Sequence, residues 1–176
     1  MKILFKIFFW SAGSFLGALL LVGVAGIFLP REHQVRRRLL LKAPPEKVWA
    51  LVSSHARDPI WRREVMGTTR LADRQGHPVW QDEFQNGQVV AYEDVDRQEG
   101  QKLVRRIVDQ NAFGGTWTYD LRPQNGGTSL TLTEQGWVSL PFRVVARFVF
   151  GHATQVDKYL RDLARFCKES AQPEPA

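Results

Sequence analysis

The chain has 176 residues, of which 44% are hydrophobic, 24% charged and 11% aromatic, room for one ordinary domain and little more. That composition excludes a collagen-like repeat and a long disordered tail, and with Cys167 the single cysteine it excludes an intrachain disulfide framework or a multi-cysteine metal site. The formal net charge is +6, yet residues 31–176 carry 22 Lys and Arg against 18 Asp and Glu, an excess too small and too scattered to point to nucleic acid.

Residues 7–29 contain no formal charge. As a helix rising about 1.5 Å per residue, such a run reaches roughly 34 Å and covers a hydrocarbon core of about 30 Å. A single-pass membrane anchor over residues 1–30 is expected. Gly23-Val24-Ala25 would suit a signal-peptide cleavage site, but the run exceeds the roughly 7–15 apolar residues of a signal peptide. Gly13 and Gly17 form a GxxxG pair, a spacing that lets two helices approach and so offers a homodimer contact. Lys2, Lys6 and the amino terminus on one side nearly balance Arg31, Arg36, Arg37 and Arg38, offset by Glu32, on the other. The positive-inside rule favours an exported domain only if the last three belong to a folded strand.

Residues 32–43 read as a strand, with Val35, Leu39 and Leu41 as its β-prone apolar positions. Pro44-Pro45 stops it. Pro45 suits the first turn of a helix over residues 45–52, and Glu46 complements the positive end of the helix dipole. That helix buries Val48, Trp49 and Val52. A second helical piece is expected near residues 58–63. From residue 65 to residue 138 turn signals recur at Gly76-His77-Pro78, Asn86-Gly87, Glu99-Gly100, Gly114-Gly115 and Asn125-Gly126-Gly127. The segments between them alternate, which predicts an antiparallel meander of about six strands. Phe142, Val145, Val149, His152, Val156, Tyr159, Leu163 and Phe166 recur in steps of three and four, so one amphipathic helix of about seven turns is expected over residues 141–168. Residues 171–176 read as a disordered tail.

Strand, two short helices, antiparallel strands and one long C-terminal helix is the order of the α+β helix-grip fold. Ala43-Pro44-Pro45-Glu46-Lys47-Val48-Trp49, Phe113-Gly114-Gly115-Thr116-Trp117-Thr118-Tyr119 and Gly127-Thr128-Ser129-Leu130-Thr131-Leu132-Thr133-Glu134 resemble segments of the SRPBCC superfamily, which includes START-like lipid-transfer and polyketide cyclase/dehydrase-like proteins. The resemblance covers about residues 34–168, within a domain taken as residues 31–170. It implies a curved sheet around the long helix, with an apolar cavity between them for a lipid, a sterol-like or a polyketide-like molecule. A membrane-anchored binder or carrier of such a molecule is the leading expectation. A cyclase or dehydratase using the same cavity and a protein-interaction module are the alternatives, because the fold alone does not decide chemistry.

The expected cavity residues are Trp117, Tyr119, Leu132, Glu134, Phe148 and His152. Trp117 and Tyr119 share a strand face by period two, as do Leu130, Leu132 and Glu134 on the next strand. Phe148 and His152 lie one helical turn apart. A carboxylate such as Glu134 facing a cavity could exchange a proton there, and Gly151 beside His152 marks a close approach. Arg36, Arg37, Arg38, Arg105 and Arg106 could together form a basic edge for anionic headgroups. His33, His55, His77 and His152 show no metal-ligand spacing, Cys167 has no histidine near it in sequence, and no glycine-rich phosphate loop opens a helix. No cofactor, metal or catalytic residue is assigned.

Overall fold

The structure, a computed structural model, describes residues 26–176. Strand β1 (Glu32–Leu41) leads into helix α1 (Pro45–Val52), a 3-10 turn at His55–Arg57 and the single helical turn α2 (Asp58–Trp61). Six strands follow as consecutive hairpins: β2 (Val65–Arg74), β3 (His77–Phe84), β4 (Val89–Gln98), β5 (Lys102–Val108), β6 (Phe113–Gln124) and β7 (Gly127–Val138). The expected six-strand meander is thus present. Strand β7 closes back on β1, and the sheet order is β2-β3-β4-β5-β6-β7-β1 with a short strand β8 (Glu174–Pro175) beyond it. All pairings are antiparallel.

The turn chemistry explains most of the hairpins. Gln75-Gly76 and Asn125-Gly126 both have positive φ at each position, the backbone that tight hairpins with right-handed strand twist require. Gly114-Gly115 does not form a turn. Both residues lie inside β6, and the β5–β6 connection occurs earlier, where Asp109 takes a φ of +59°. A side chain on Gly114 would meet the Trp137 ring at 2.7 Å, and one on Gly115 would collide with the Gln135 carbonyl. These glycines are needed for close packing against β7, not for chain reversal.

The long C-terminal helix is also interrupted. A 3-10 turn (Leu140–Phe142), the helical turn α3 (Arg143–Val145) and a π-helical turn (Ala146–Phe150) end at Gly151, whose φ of +67° and ψ of 130° leave the helical region. Helix α4 (Ala153–Phe166) then starts afresh. It buries Val156, Tyr159, Leu160 and Leu163, at steps of three and four, against the concave face of the sheet. Leu39, Leu103, Leu130 and Leu132 meet it from the strands, while Val48, Trp49 and Val52 of α1 close one end of that core. Residues 171–176, expected to be disordered, place Glu174 and Pro175 against Arg38 and Arg37 of β1.

Among the described residues no helix is long and apolar enough to cross a membrane. The expected anchor lies outside them apart from its last residues, and so does the Gly13–Gly17 pair.

Candidate functional site

Sheet register builds the site row by row. Asp94 pairs with Arg105, Arg105 with Trp117, Trp117 with Glu134 and Glu134 with Val35. Directly opposed residues share a face, so this row runs across the concave side. A parallel row holds Trp80, Tyr92, Ile107, Gly115, Gly136 and His33. Between these rows and α4 lies a cavity of about 390 Å³, bordered by Tyr92, Trp117 and Glu134 of the sheet, by Arg62 at the end of α2 and by Gln155 and Lys158 of α4. A larger depression of about 560 Å³ sits at the other end of β1, around Leu41, Gln124 and Lys168. There the Glu169 carboxylate is committed to the Lys42 and Ala43 backbone N–H groups, so the polar chemistry lies at the first cavity.

Trp117 and Tyr119 face inward, as their spacing predicts. Tyr159 of α4 meets both rings, at 5.7 and 5.5 Å between centroids, and meets Trp61 edge-on at 4.9 Å. Trp117 and Glu134 border the cavity, whereas Tyr119 and Leu132 are part of the filled core. Phe148 does not join them. It is 70% exposed, because the break at Gly151 takes residues 146–150 off the line of α4. His152 lies at the start of α4, stacked on His33 at 3.9 Å, and the His33 Nε2 is 3.8 Å from Glu134 Oε1. Gly136 provides the seat for the His33 ring, which a side chain there would meet at 2.6 Å. His33 was not legible as a partner, since it is 101 residues from Glu134 in the chain.

The lining differs from the expected apolar tunnel in carrying charge. It includes Arg62, Glu64, Glu134 and Lys158 beside Trp117, Tyr92 and Phe84. Three lining residues carry a buried polar atom without a hydrogen-bond partner: Arg62 at Nε, Trp117 at the indole N–H and Glu134 at Oε2. The expected basic edge does not form either. Arg105 points inward to Asp94 at 2.9 Å and Arg106 outward to Glu93 at 2.7 Å, as period two dictates for neighbours on a strand. Arg37 bonds Asp157 and Arg38 bonds Glu174.

Beneath the cavity lies a buried ionic network that sequence reading missed. Arg62 Nη1 donates to Asp58 Oδ2 at 3.0 Å and to Asp82 Oδ2 at 2.9 Å, and Thr68 Oγ1 donates to the other Asp82 oxygen. His55, almost wholly buried, stands 3.7 Å from Asp58 and 3.5 Å from Asp94 without an aligned hydrogen bond on either ring nitrogen. His55, Asp58 and Asp82 could each turn one ligand atom towards a common cation. The Arg62 guanidinium already supplies the positive charge between the two carboxylates. The local signal was the spacing of His55, Asp58 and Arg62, three and then four residues apart, around Pro59. The partners Asp82, Asp94 and Arg105 come from other strands.

Burial and the nearby Arg105 push the His55 pKa down, and burial pushes that of Asp58 up against the pull of Arg62. The sign for His55 is that of a depressed group: the unfolded chain takes up the proton first, so acid favours unfolding. Stability is expected to fall as pH drops below the ordinary histidine value of 6.5, by about 1.4 kcal/mol for each unit of depression. His152, lowered by burial, His33 and Arg147, acts in the same direction, whereas protonation of Asp58 opposes it nearer the carboxylate range. Urea titrations at several pH values check this. His55→Gln should flatten the fall in the histidine window, and an unchanged slope would count against it.

The sequence pattern of the family described as polyketide cyclase / dehydrase and lipid transport matches residues 32–167. The chain belongs to this family. No curated protein sequence matches it. Among solved structures it is similar to the ZhuI aromatase/cyclase from Streptomyces sp. R1128, with a TM-score of 0.64 and 13% identity over 78% of this chain and 94% of that one. It is also similar to the di-domain aromatase/cyclase StfQ from the steffimycin biosynthetic pathway, at 0.62 and 13%, covering 78% of this chain and only 51% of that one. A START superfamily protein from Mycobacterium smegmatis gives 0.58 and 17%, over 78% and 94% respectively. These likenesses establish the helix-grip fold. The family and fold together make the chain an SRPBCC protein.

Proposed function

We propose that this chain is a membrane-anchored binding or carrier protein for a hydrophobic small molecule of lipid, sterol-like or polyketide-like character, held between the sheet and α4. The observation that carries the reading is the set of unpartnered buried groups at the cavity, the Trp117 N–H, the Arg62 Nε–H and Glu134 Oε2. A buried donor and acceptor left unpaired cost about 1–3 kcal/mol each, and a ligand supplying the matching groups removes that cost. The favoured ligand has an apolar body that packs on the Trp117 and Tyr92 rings and a hydroxyl or similar group that both donates and accepts. The family match and the aromatase/cyclase neighbours support an apolar polycyclic or acyl body. The uncharged run of residues 7–29 supports the anchor, which raises the local concentration of membrane-derived ligand around the domain.

The test is titration of the full-length chain in detergent micelles with a fluorescent sterol and a fluorescent fatty acid. Trp117→Ala is expected to weaken binding of the preferred probe about tenfold or more, equivalent to about 1.4 kcal/mol. Met66→Ala, on the exposed face of β2, should leave it unchanged. Equal binding by the Trp117→Ala protein would count against this cavity. Mass spectrometry of the extracted ligand should recover it chemically unaltered, and recovery of a dehydrated or cyclised product would replace the carrier reading with the enzymatic one.

A further inference from the structure

Two apolar segments meet at the beginning of the described chain. Leu140 O and Val144 Cγ2 lie 3.1 and 3.8 Å from where a side chain on Gly26 would begin. The Arg143 guanidinium donates to the carbonyls of Leu29 at 3.2 Å and Val138 at 3.1 Å. That arginine clamps residues 26–29 onto residues 138–144. Around the clamp, large apolar side chains stand in solvent: Phe28 is 83% exposed, Phe148 70%, Ile27 61% and Phe142 51%. Of the eleven exposed large hydrophobic side chains among the described residues, six fall in residues 27–28 and 140–148. Phe142, Val145 and Phe148 recur at every third position, so the helical turns show them along one side. A concentration of this kind marks an interaction site, where scattered exposed apolar residues would not.

The charges within the lobe have one sign, and the nearest carboxylate in sequence is Glu32 at the start of β1. Residues 26–31 and 139–151 contain Arg31, Arg143 and Arg147 and no carboxylate. Arg143 is spent on backbone carbonyls, Arg147 is exposed, and Arg31 lies over the Trp137 ring at 5.0 Å. An apolar face rimmed by arginine and an aromatic ring is the composition of a segment lying in the headgroup region of an anionic bilayer.

We infer that residues 27–28 and 140–148 form a membrane-contact lobe, with Ile27, Phe28, Phe142, Val145 and Phe148 entering the boundary between headgroups and acyl chains and Arg31 and Arg147 meeting lipid phosphates. The inference rests on the anchor reading, because the uncharged run of residues 7–29 ends within the lobe and delivers it to the bilayer surface. A run without charge on any side needs an apolar surrounding all round, more than this one narrow face offers. A second copy would bring like-charged arginines together.

The experiment uses the full-length chain reconstituted in vesicles of phosphatidylcholine and phosphatidylglycerol. Cys167→Ser removes the native thiol, and Phe148→Cys or, as the control, Met66→Cys carries an environment-sensitive fluorophore. Nitroxides on the lipid acyl chains should quench the label at position 148 several-fold more than the label at position 66, with the reverse order for aqueous iodide. Arg31→Glu with Arg147→Glu should reduce the lipid quenching in these vesicles and not in vesicles of phosphatidylcholine alone. Iodide quenching at 148 equal to that at 66 would overturn the proposal. So would shielding from both quenchers, which cover by residues 1–25 or by a second copy produces. Separate aliquots washed in alkaline carbonate report the anchor. A chain retained by the vesicles with position 148 in water fails the lobe and keeps the anchor, and a chain released by carbonate after lipid quenching fails the anchor and keeps the lobe.

Discussion

Replacing Arg62 with alanine is expected to destabilise the domain by about 3–5 kcal/mol, the usual cost of leaving a buried charge without its partner. Asp58 and Asp82 are both fully buried, and Arg62 Nη1 bridges them. Its guanidinium also lies over the Tyr159 ring at 5.3 Å and the Phe84 ring at 5.6 Å, so the truncation opens space as well as stranding charge. Denaturation in urea followed by tryptophan fluorescence gives the number. Should the single variant fail to fold, the combination Arg62→Met, Asp58→Asn and Asp82→Asn separates the causes, since it removes all three charges while keeping volume. That protein is expected to recover most of the lost stability. A single variant within about 1 kcal/mol of the parent, inside the range of ordinary surface substitutions, would show that the network is not closed as described.

Tyr159→Ala is expected to cost a further large amount, about 3–5 kcal/mol, as for other buried aromatic truncations. Three aromatic rings converge on this side chain, so its loss empties the centre of the interface between α4 and the sheet. Tyr159→Phe is expected to fall within about 1 kcal/mol of the parent in either direction. The hydroxyl is buried without an aligned partner, and deleting an unsatisfied polar group removes a penalty instead of a bond. The pair of variants distinguishes packing from hydrogen bonding by the same denaturation measurement. A loss of several kcal/mol for the phenylalanine variant would show that the hydroxyl is bonded.

The parts of the fold that were legible depend on local rules. Asn125-Gly126 dictates its own turn, and period two aims Trp117 and Tyr119 inward whatever lies opposite. Gly114-Gly115 misled because a glycine pair reads alike whether it reverses the chain or lets a ring lie against the backbone, and only the Trp137 position distinguishes the two. The helix pattern across residues 142–166 held its period through Gly151, so the apolar stripe gave no sign of the break. Phe148 left the site for that reason. The ionic network was out of reach for a different one. Asp58, Asp82, Asp94 and Arg105 meet through strand pairing and a covering turn, and each taken singly resembles an ordinary exposed charge. His33 and Glu134 are a strand-pairing coincidence of the same type.

The positive φ of Gly151 has an energetic consequence for the molecule. It severs the hydrogen-bond ladder that would have tied residues 143–150 to α4, and α3 buries no side chain of its own. The domain is thereby expected to divide into two cooperative units of unequal strength. One is the centre of the sheet with α4, whose amides should open close to the free energy of global unfolding. The other is a small unit that opens at a fraction of that free energy and exchanges its amide protons while the rest of the ladder stays closed.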